Sequence, residues 1–104
     1  MNWGTACARN LMSALCVEFK LRDVLYSQQA VYQVLYKGEK IDEYIPDLVV
    51  KDRVVVDAKT IDSIGDMELG QMLNYLRVTG LKVGLLINFK KPKLEWKRVV
   101  LSEH

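Results

Sequence analysis

Two apolar runs enclose a short polar turn in Ile45-Pro46-Asp47-Leu48-Val49-Val50-Lys51-Asp52-Arg53-Val54-Val55-Val56-Asp57-Ala58-Lys59. Val54-Val55-Val56 is the most β-prone run of the sequence. Lys51-Asp52-Arg53 supplies the turn chemistry that joins it to a preceding strand through Ile45, Leu48, Val49 and Val50. Pro46 cannot donate a ladder hydrogen bond, so that strand is expected at a sheet edge or to carry a bulge. Alternation puts Val55, Asp57 and Lys59 on one face and Val54, Val56 and Ala58 on the other. A three-residue turn pairs Val50 with Val54 and sets Asp47 opposite Asp57. Two carboxylates and an ammonium then share one patch, with two readings open. Such a carboxylate pair suits Mg²⁺, which takes a few protein oxygens and keeps water or phosphate in its other positions. An Asp-x-Lys strand is also an ordinary solvated face, where opposite charges stabilise a sheet modestly.

Outward from this hairpin, the periodicity predicts a first helix from about Arg9 to Leu25, with Leu11, Leu15 and Leu25 on one stripe. Glu18 and Arg22 fall on that stripe, four apart, in the order that allows an ion pair. From Gln29 the period becomes two: Tyr32, Val34 and Tyr36 alternate with Gln33 and Leu35, ahead of a turn at Lys37-Gly38-Glu39-Lys40. A second helix is expected over about Gly65 to Thr79. Leu69, Met72, Leu73 and Leu76 form its apolar stripe, with Ser63 as cap and Gly80 as stop. Val83-Gly84-Leu85-Leu86-Ile87 reads as a strand buried on both faces. Lys90-Lys91-Pro92-Lys93 then turns into a last strand, Leu94 to Leu101. The order α-β-β-β-α-β-β predicts an α/β fold, a central mixed sheet flanked by helices.

Composition bounds the function. The 104 residues are 50% hydrophobic and 27% charged, which fits one domain over residues 1–104 and excludes a disordered chain. No apolar run approaches the ~18 residues of a membrane span. Met1-Asn2-Trp3-Gly4 does not resemble a secretion leader, so a cytoplasmic protein is the expectation. A formal net charge of +2 is no strong basic excess, and any phosphate-binding surface must be local. Cys7 and Cys16 are read as buried thiols. The single histidine, His104, rules out a His-rich metal site or a Ser-His-Asp triad. Carboxylates and lysines are left to carry any chemistry.

Pro46-Asp47, ten residues ahead of Asp57-Ala58-Lys59 on consecutive strands, resembles the signature of the PD-(D/E)XK nuclease superfamily, whose core has the same element order. Several runs are similar to the small bacterial and archaeal GxxExxR family. They are Tyr36-Lys37-Gly38-Glu39-Lys40, Glu43-Tyr44-Ile45-Pro46-Asp47-Leu48, Gln71-Met72-Leu73-Asn74-Tyr75-Leu76, Thr79 to Phe89, and Leu94-Glu95-Trp96-Lys97-Arg98. The resemblance covers about Ala14 to Leu101. The Gly-x-x-Glu-x-x-Arg string itself is absent, and Ala8 stands where relatives carry an acid.

The resemblance implies a restriction-endonuclease-like core and a nuclease that hydrolyses phosphodiester bonds in DNA with Mg²⁺ or Mn²⁺, and no small-molecule cofactor. Asp47 and Asp57 would bind the metal, Lys59 would position the attacking water, and Gln71 and Tyr75 would match a Gln-x-x-x-Tyr pattern that shapes the site and contacts DNA. Without it, Gln71 and Tyr75 read as helix surface plus one amphipathic aromatic. Glu18 is either a further metal contact or the partner of Arg22. Lys90, Lys91, Lys93, Lys97 and Arg98 form the expected DNA surface, or in part a soluble turn guarding an edge strand. Trp96 either stacks on DNA or joins the core. The alternative function is a non-catalytic nuclease-fold module for nucleic-acid binding or protein assembly. The small size also favours a homodimer, whose second subunit would widen the DNA surface.

Overall fold

The computed structural model describes residues 3–90 and 92–102, with side chains from residue 10 onward. Lys91 and His104, and the side chains of Cys7 and Ala8, lie outside the described residues. Helix α1 runs from Trp3 to Leu21. Three short strands follow: β1 (Tyr26–Gln28), β2 (Tyr32–Tyr36) and β3 (Glu39–Tyr44). Next come β4 (Leu48–Val50), β5 (Val54–Lys59), α2 (Asp66–Thr79), β6 (Val83–Asn88) and β7 (Glu95–Val100).

Five strands form one mixed sheet in the order β1-β4-β5-β6-β7, while β2 and β3 pair as a separate hairpin. In the large sheet only β5 and β6 are parallel, joined by the α2 crossover that parallel strands require. The two helices cover opposite faces. Val55, Met72, Leu76, Leu86 and Val99 make the core under α2. Cys16, Leu48, Val56, Ile87 and Phe89 make the core under α1, so β5 and β6 are apolar on both sides.

The α/β architecture is the expected one, but five strands rather than three lie between the helices, β1 and β3 being additional to the expected order. The strand expected through Ile45 and Pro46 begins only at Leu48, because Pro46 is buried between β3 and β4 and hands the chain from the hairpin to the main sheet. Strand β4 is not an edge, since β1 pairs with it from Tyr26↔Val50 to Gln28↔Leu48. The first helix lies earlier than expected and presents Met12, Leu15, Cys16 and Phe19 to the sheet, leaving Leu11 and Leu25 exposed. Asp23 at φ 55° ends it through the bond from Val24 N to Phe19 O (2.8 Å).

Turn chemistry sets both hairpins. Lys51 and Asp52 both take positive φ, and Val50 pairs with Val54 as a three-residue turn demands. In the smaller hairpin Lys37 and Gly38 take positive φ and Tyr36 pairs with Glu39, a two-residue turn rather than four. Helix α2 is capped by Gly65 rather than Ser63, with Glu68 Oε1 accepting from Gly65 N (2.8 Å). It ends as expected on Gly80, at φ 75°.

Candidate active site

Strand β5 delivers Asp57 at the end of an apolar run, and the segment between β3 and β4 delivers Asp47 beside it. The two aspartates are locked reciprocally. Asp47 N donates to Asp57 Oδ1 (3.1 Å), and Ala58 N donates to Asp47 Oδ2 (2.7 Å). Asp57 is buried and Asp47 exposed, so the pair has a dry side and a wet side.

Tyr44, the last residue of β3, closes the dry side. Its hydroxyl donates to Asp57 Oδ2 (2.8 Å), and its ring stacks on Tyr75 of α2 at 3.7 Å between centroids and 11°. Burial holds the Asp57 carboxyl above the usual carboxylate range, with the Asp47 charge adding to the shift. The hydrogen bonds from Tyr44 and from Asp47 N, and the charge of Lys59, pull it back down. Burial, then the Asp57 charge, pushes the Tyr44 phenol far up, so its hydroxyl stays a donor. Burial and Asp57 also raise Tyr75, against a hydrogen bond with Gln71.

Lys59, two residues along the same face, is half-buried and donates from Nζ to Gln71 Oε1 (2.9 Å). Asp47, Asp57, Lys59, Gln71 and Tyr75 are thus brought together by the segment before β4, by β5 and by the flank of α2. Two carboxylates, one of them exposed, fit a hard divalent cation that keeps water in its remaining positions. Among the described residues no group of three or more Asp, Glu, His or Cys side chains is gathered for a metal.

Glu18 is not brought to the pair. It lies on α1, which packs on the sheet face opposite Asp57, and it bonds Arg22 Nε at 3.2 Å. The ion-pair reading of Glu18 is the one the packing supports.

The expected DNA surface is divided as well. Lys90 pairs with Asp62. Lys97 shares the Asp57 side of β7 with Val99, whereas Trp96 and Arg98 alternate onto the α1 side. Trp96 is 59% exposed, so it is no core residue, and Lys93 is exposed.

Sequence reading missed two site-building residues. Tyr44 sits three residues before Asp47, where its spacing within an alternating strand carries no sign of a polar role. Asn88 is 1% exposed and ties two loops together. Its Oδ1 accepts from Ile61 N and Lys90 N, and its Nδ2 donates to Ile61 O and Glu95 Oε1. A lone Asn ending an apolar strand was its only signal.

The fold and this paired-carboxylate site define a nuclease-type α/β domain. A family profile for the PD-(D/E)XK nuclease superfamily matches residues 9–99, and the chain belongs to that superfamily. No curated protein matches the sequence significantly. Among solved structures, an alkaline exonuclease (LHK-Exo) from Laribacter hongkongensis is similar with TM-score 0.64 at 12% identity, over 98% of this chain and 60% of the exonuclease. SSO0001 is similar with TM-score 0.63 at 14% identity, over 88% of this chain and 48% of that one. At these identities the likeness is one of fold, and the chain spans only about half to three-fifths of either structure's length.

Proposed function

We propose that this chain is a Mg²⁺- or Mn²⁺-dependent nuclease of the GxxExxR type that hydrolyses phosphodiester bonds in DNA. The observation that carries the reading is the reciprocal lock of Asp47 and Asp57 beside the Lys59–Gln71 pair. Asp47 and Asp57 would hold the cation, which would stabilise charge developing on a phosphoryl oxygen. The hydrogen bonds that backbone N–H groups donate to both carboxylates fix their orientation before substrate arrives. Tyr44 holds the Asp57 oxygen that points into the protein. Gln71 holds the Lys59 ammonium in place, where it can orient an attacking water and offset transition-state charge without reorganising. Membership of a nuclease superfamily, with a fold like that of a protein described as an alkaline exonuclease, supports a nucleic acid as the substrate class. Lys97, on the Asp57 side of β7, and Lys93, exposed just before β7, are the proposed phosphate contacts, with a homodimer extending that surface.

The test is cleavage of plasmid and linear DNA with Mg²⁺, Mn²⁺ or EDTA, alongside melting curves with and without metal. Millimolar metal should raise the melting temperature of the wild type, because the cation binds only the native pair. Asp57→Asn should lose both the shift and the cleavage. Lys59→Ala should keep the shift and lose the cleavage. A wild type that neither cleaves nor responds to metal, with Asp57→Asn behaving the same, makes the chain a non-catalytic module.

A further inference from the structure

A groove of about 330 Å³ runs between β2 and the C-terminal half of α2, lined by Gln33, Val34, Leu35, Arg77 and Val78. Both walls begin at the candidate site. Strand β2 starts at Tyr32, which pairs with Tyr44, the residue bonded to Asp57. Helix α2 carries Gln71, bonded to Lys59, and Tyr75, stacked on Tyr44. One turn further along α2 and one to three residues further along β2, the same walls enclose the groove. Its floor continues the core, since Tyr32, Tyr75 and Val78 all pack against that cluster.

The groove's cation is held differently from three others on the surface. Arg22, Lys40 and Lys90 are each held by a carboxylate: Glu18, Glu43 and Asp62. Arg77 is held by a neutral amide, donating from Nη1 to Asn74 Oδ1 (2.9 Å). That bond steers the guanidinium without neutralising its charge and uses one of its five donors. A guanidinium so placed suits a phosphate oxygen. Arg77 lies six residues beyond Gln71, about 9 Å along the helix at 1.5 Å per residue. At a duplex rise of ~3.4 Å per nucleotide in one strand, that is two to three nucleotides away.

We propose that this groove holds the sugar-phosphate backbone of the DNA strand leading away from the scissile bond, with Arg77 on a phosphate and Val34 and Val78 against the sugars. The assignment rests on the nuclease reading above and extends it to a strand path. Two carboxylates of β3 lie opposite β2 here: Glu43, across from Gln33, is paired with Lys40, and Asp42 opposes the grip. Asp42, opposite Val34 on β3, is exposed, and its charge reaches Tyr75. It lies across from the middle of the β2 wall and should weaken the grip on the strand.

The two charges therefore yield effects of opposite sign. Binding of the full chain to a fluorescent DNA oligonucleotide, measured by anisotropy in EDTA across a salt series, reads both. Arg77→Gln should weaken binding roughly tenfold at low salt and flatten the slope of log affinity against log salt by about 0.7–0.9, the share of one phosphate contact. Arg77→Lys should restore most of the slope, and Asp42→Asn should tighten binding severalfold. Arg77→Gln should keep the metal-induced rise in melting temperature, since Arg77 lies outside the carboxylate pair. If wild type binds DNA while Arg77→Gln and Asp42→Asn keep its affinity and slope, the strand path is wrong and the nuclease reading stands. If wild type neither binds nor cleaves DNA, the nuclease reading fails and the strand path fails with it.

Discussion

Replacing Gly84 with alanine would set a methyl carbon 2.4 Å from Met72 Sδ, 2.7 Å from its Cγ and 3.2 Å from its Cε. Carbon contacts are comfortable at about 3.5–4.0 Å, so the first two approaches fall short by close to an ångström or more. Met72 is fully buried, and an atom near the base of its side chain is involved, so rotating the terminal methyl cannot relieve the overlap. The helix must therefore lift from β6. Overpacking of this kind costs about 1–3 kcal/mol. For a chain of this size that lowers the melting temperature by roughly 5–15 °C. Thermal melts followed by circular dichroism would measure it. Because α2 carries Gln71, the lift should also loosen the 2.9 Å bond to Lys59 and depress cleavage at temperatures where the variant is still folded. Met72→Ala opens the space the methyl needs, so the double variant should be less destabilised than the sum of its singles. Strict additivity, or an unchanged melting temperature for Gly84→Ala, would refute this account of the helix–sheet contact.

Three further outcomes follow from the site and the caps. Tyr44→Phe removes the donor to Asp57 Oδ2, a bond to a charged group worth about 1.5–3 kcal/mol. The bond favours the ionised carboxyl, so the penalty should be full at neutral and higher pH and shrink as acid protonates Asp57. A pH series of melts checks it, and a penalty constant with pH would mean the hydroxyl acts only through packing. Asp57→Asn should stabilise the metal-free protein, because the native carboxyl lies above its unfolded range and costs stability as pH rises through that raised value. The gain should vanish at low pH, as urea titrations at several pH values would show. Gly80→Ala should cost only about 1–2 kcal/mol, since its φ of 75° strains an L-residue but no atom stands within 4 Å.

Much of the site was legible because strand alternation is a rigid rule. Once Lys51-Asp52-Arg53 is taken as a three-residue turn, Asp47 and Asp57 have nowhere to go but opposite one another. The stripe of Leu69, Met72, Leu73 and Leu76 likewise fixed which flank of α2 would bring Gln71 toward Lys59. Tyr44 was illegible for the complementary reason. Its role depends on the chain changing sheets at Pro46, and no period in the sequence records a change of sheet. Helix α1 was misread because Leu11, Leu15 and Leu25 mimic a stripe about one residue away from the one that packs, Met12, Leu15, Cys16 and Phe19. Trp96 and Arg98 were grouped with Lys97 by proximity in sequence, but adjacent residues of a strand point to opposite sides.

The amide of Asn88 has a consequence for how this chain can vary. By bonding Ile61, Lys90 and Glu95 together, it joins the segment after β5 to the segment before β7 as a closed ring, with Glu95 passing the connection on to Ile64 N at 2.9 Å. Neither segment can gain or lose a residue on its own without orphaning buried polar atoms. Length changes at this end of the sheet should therefore be tolerated in matched pairs. The segment leading from Lys59 into α2 is thereby tied to the length of the connection between β6 and β7.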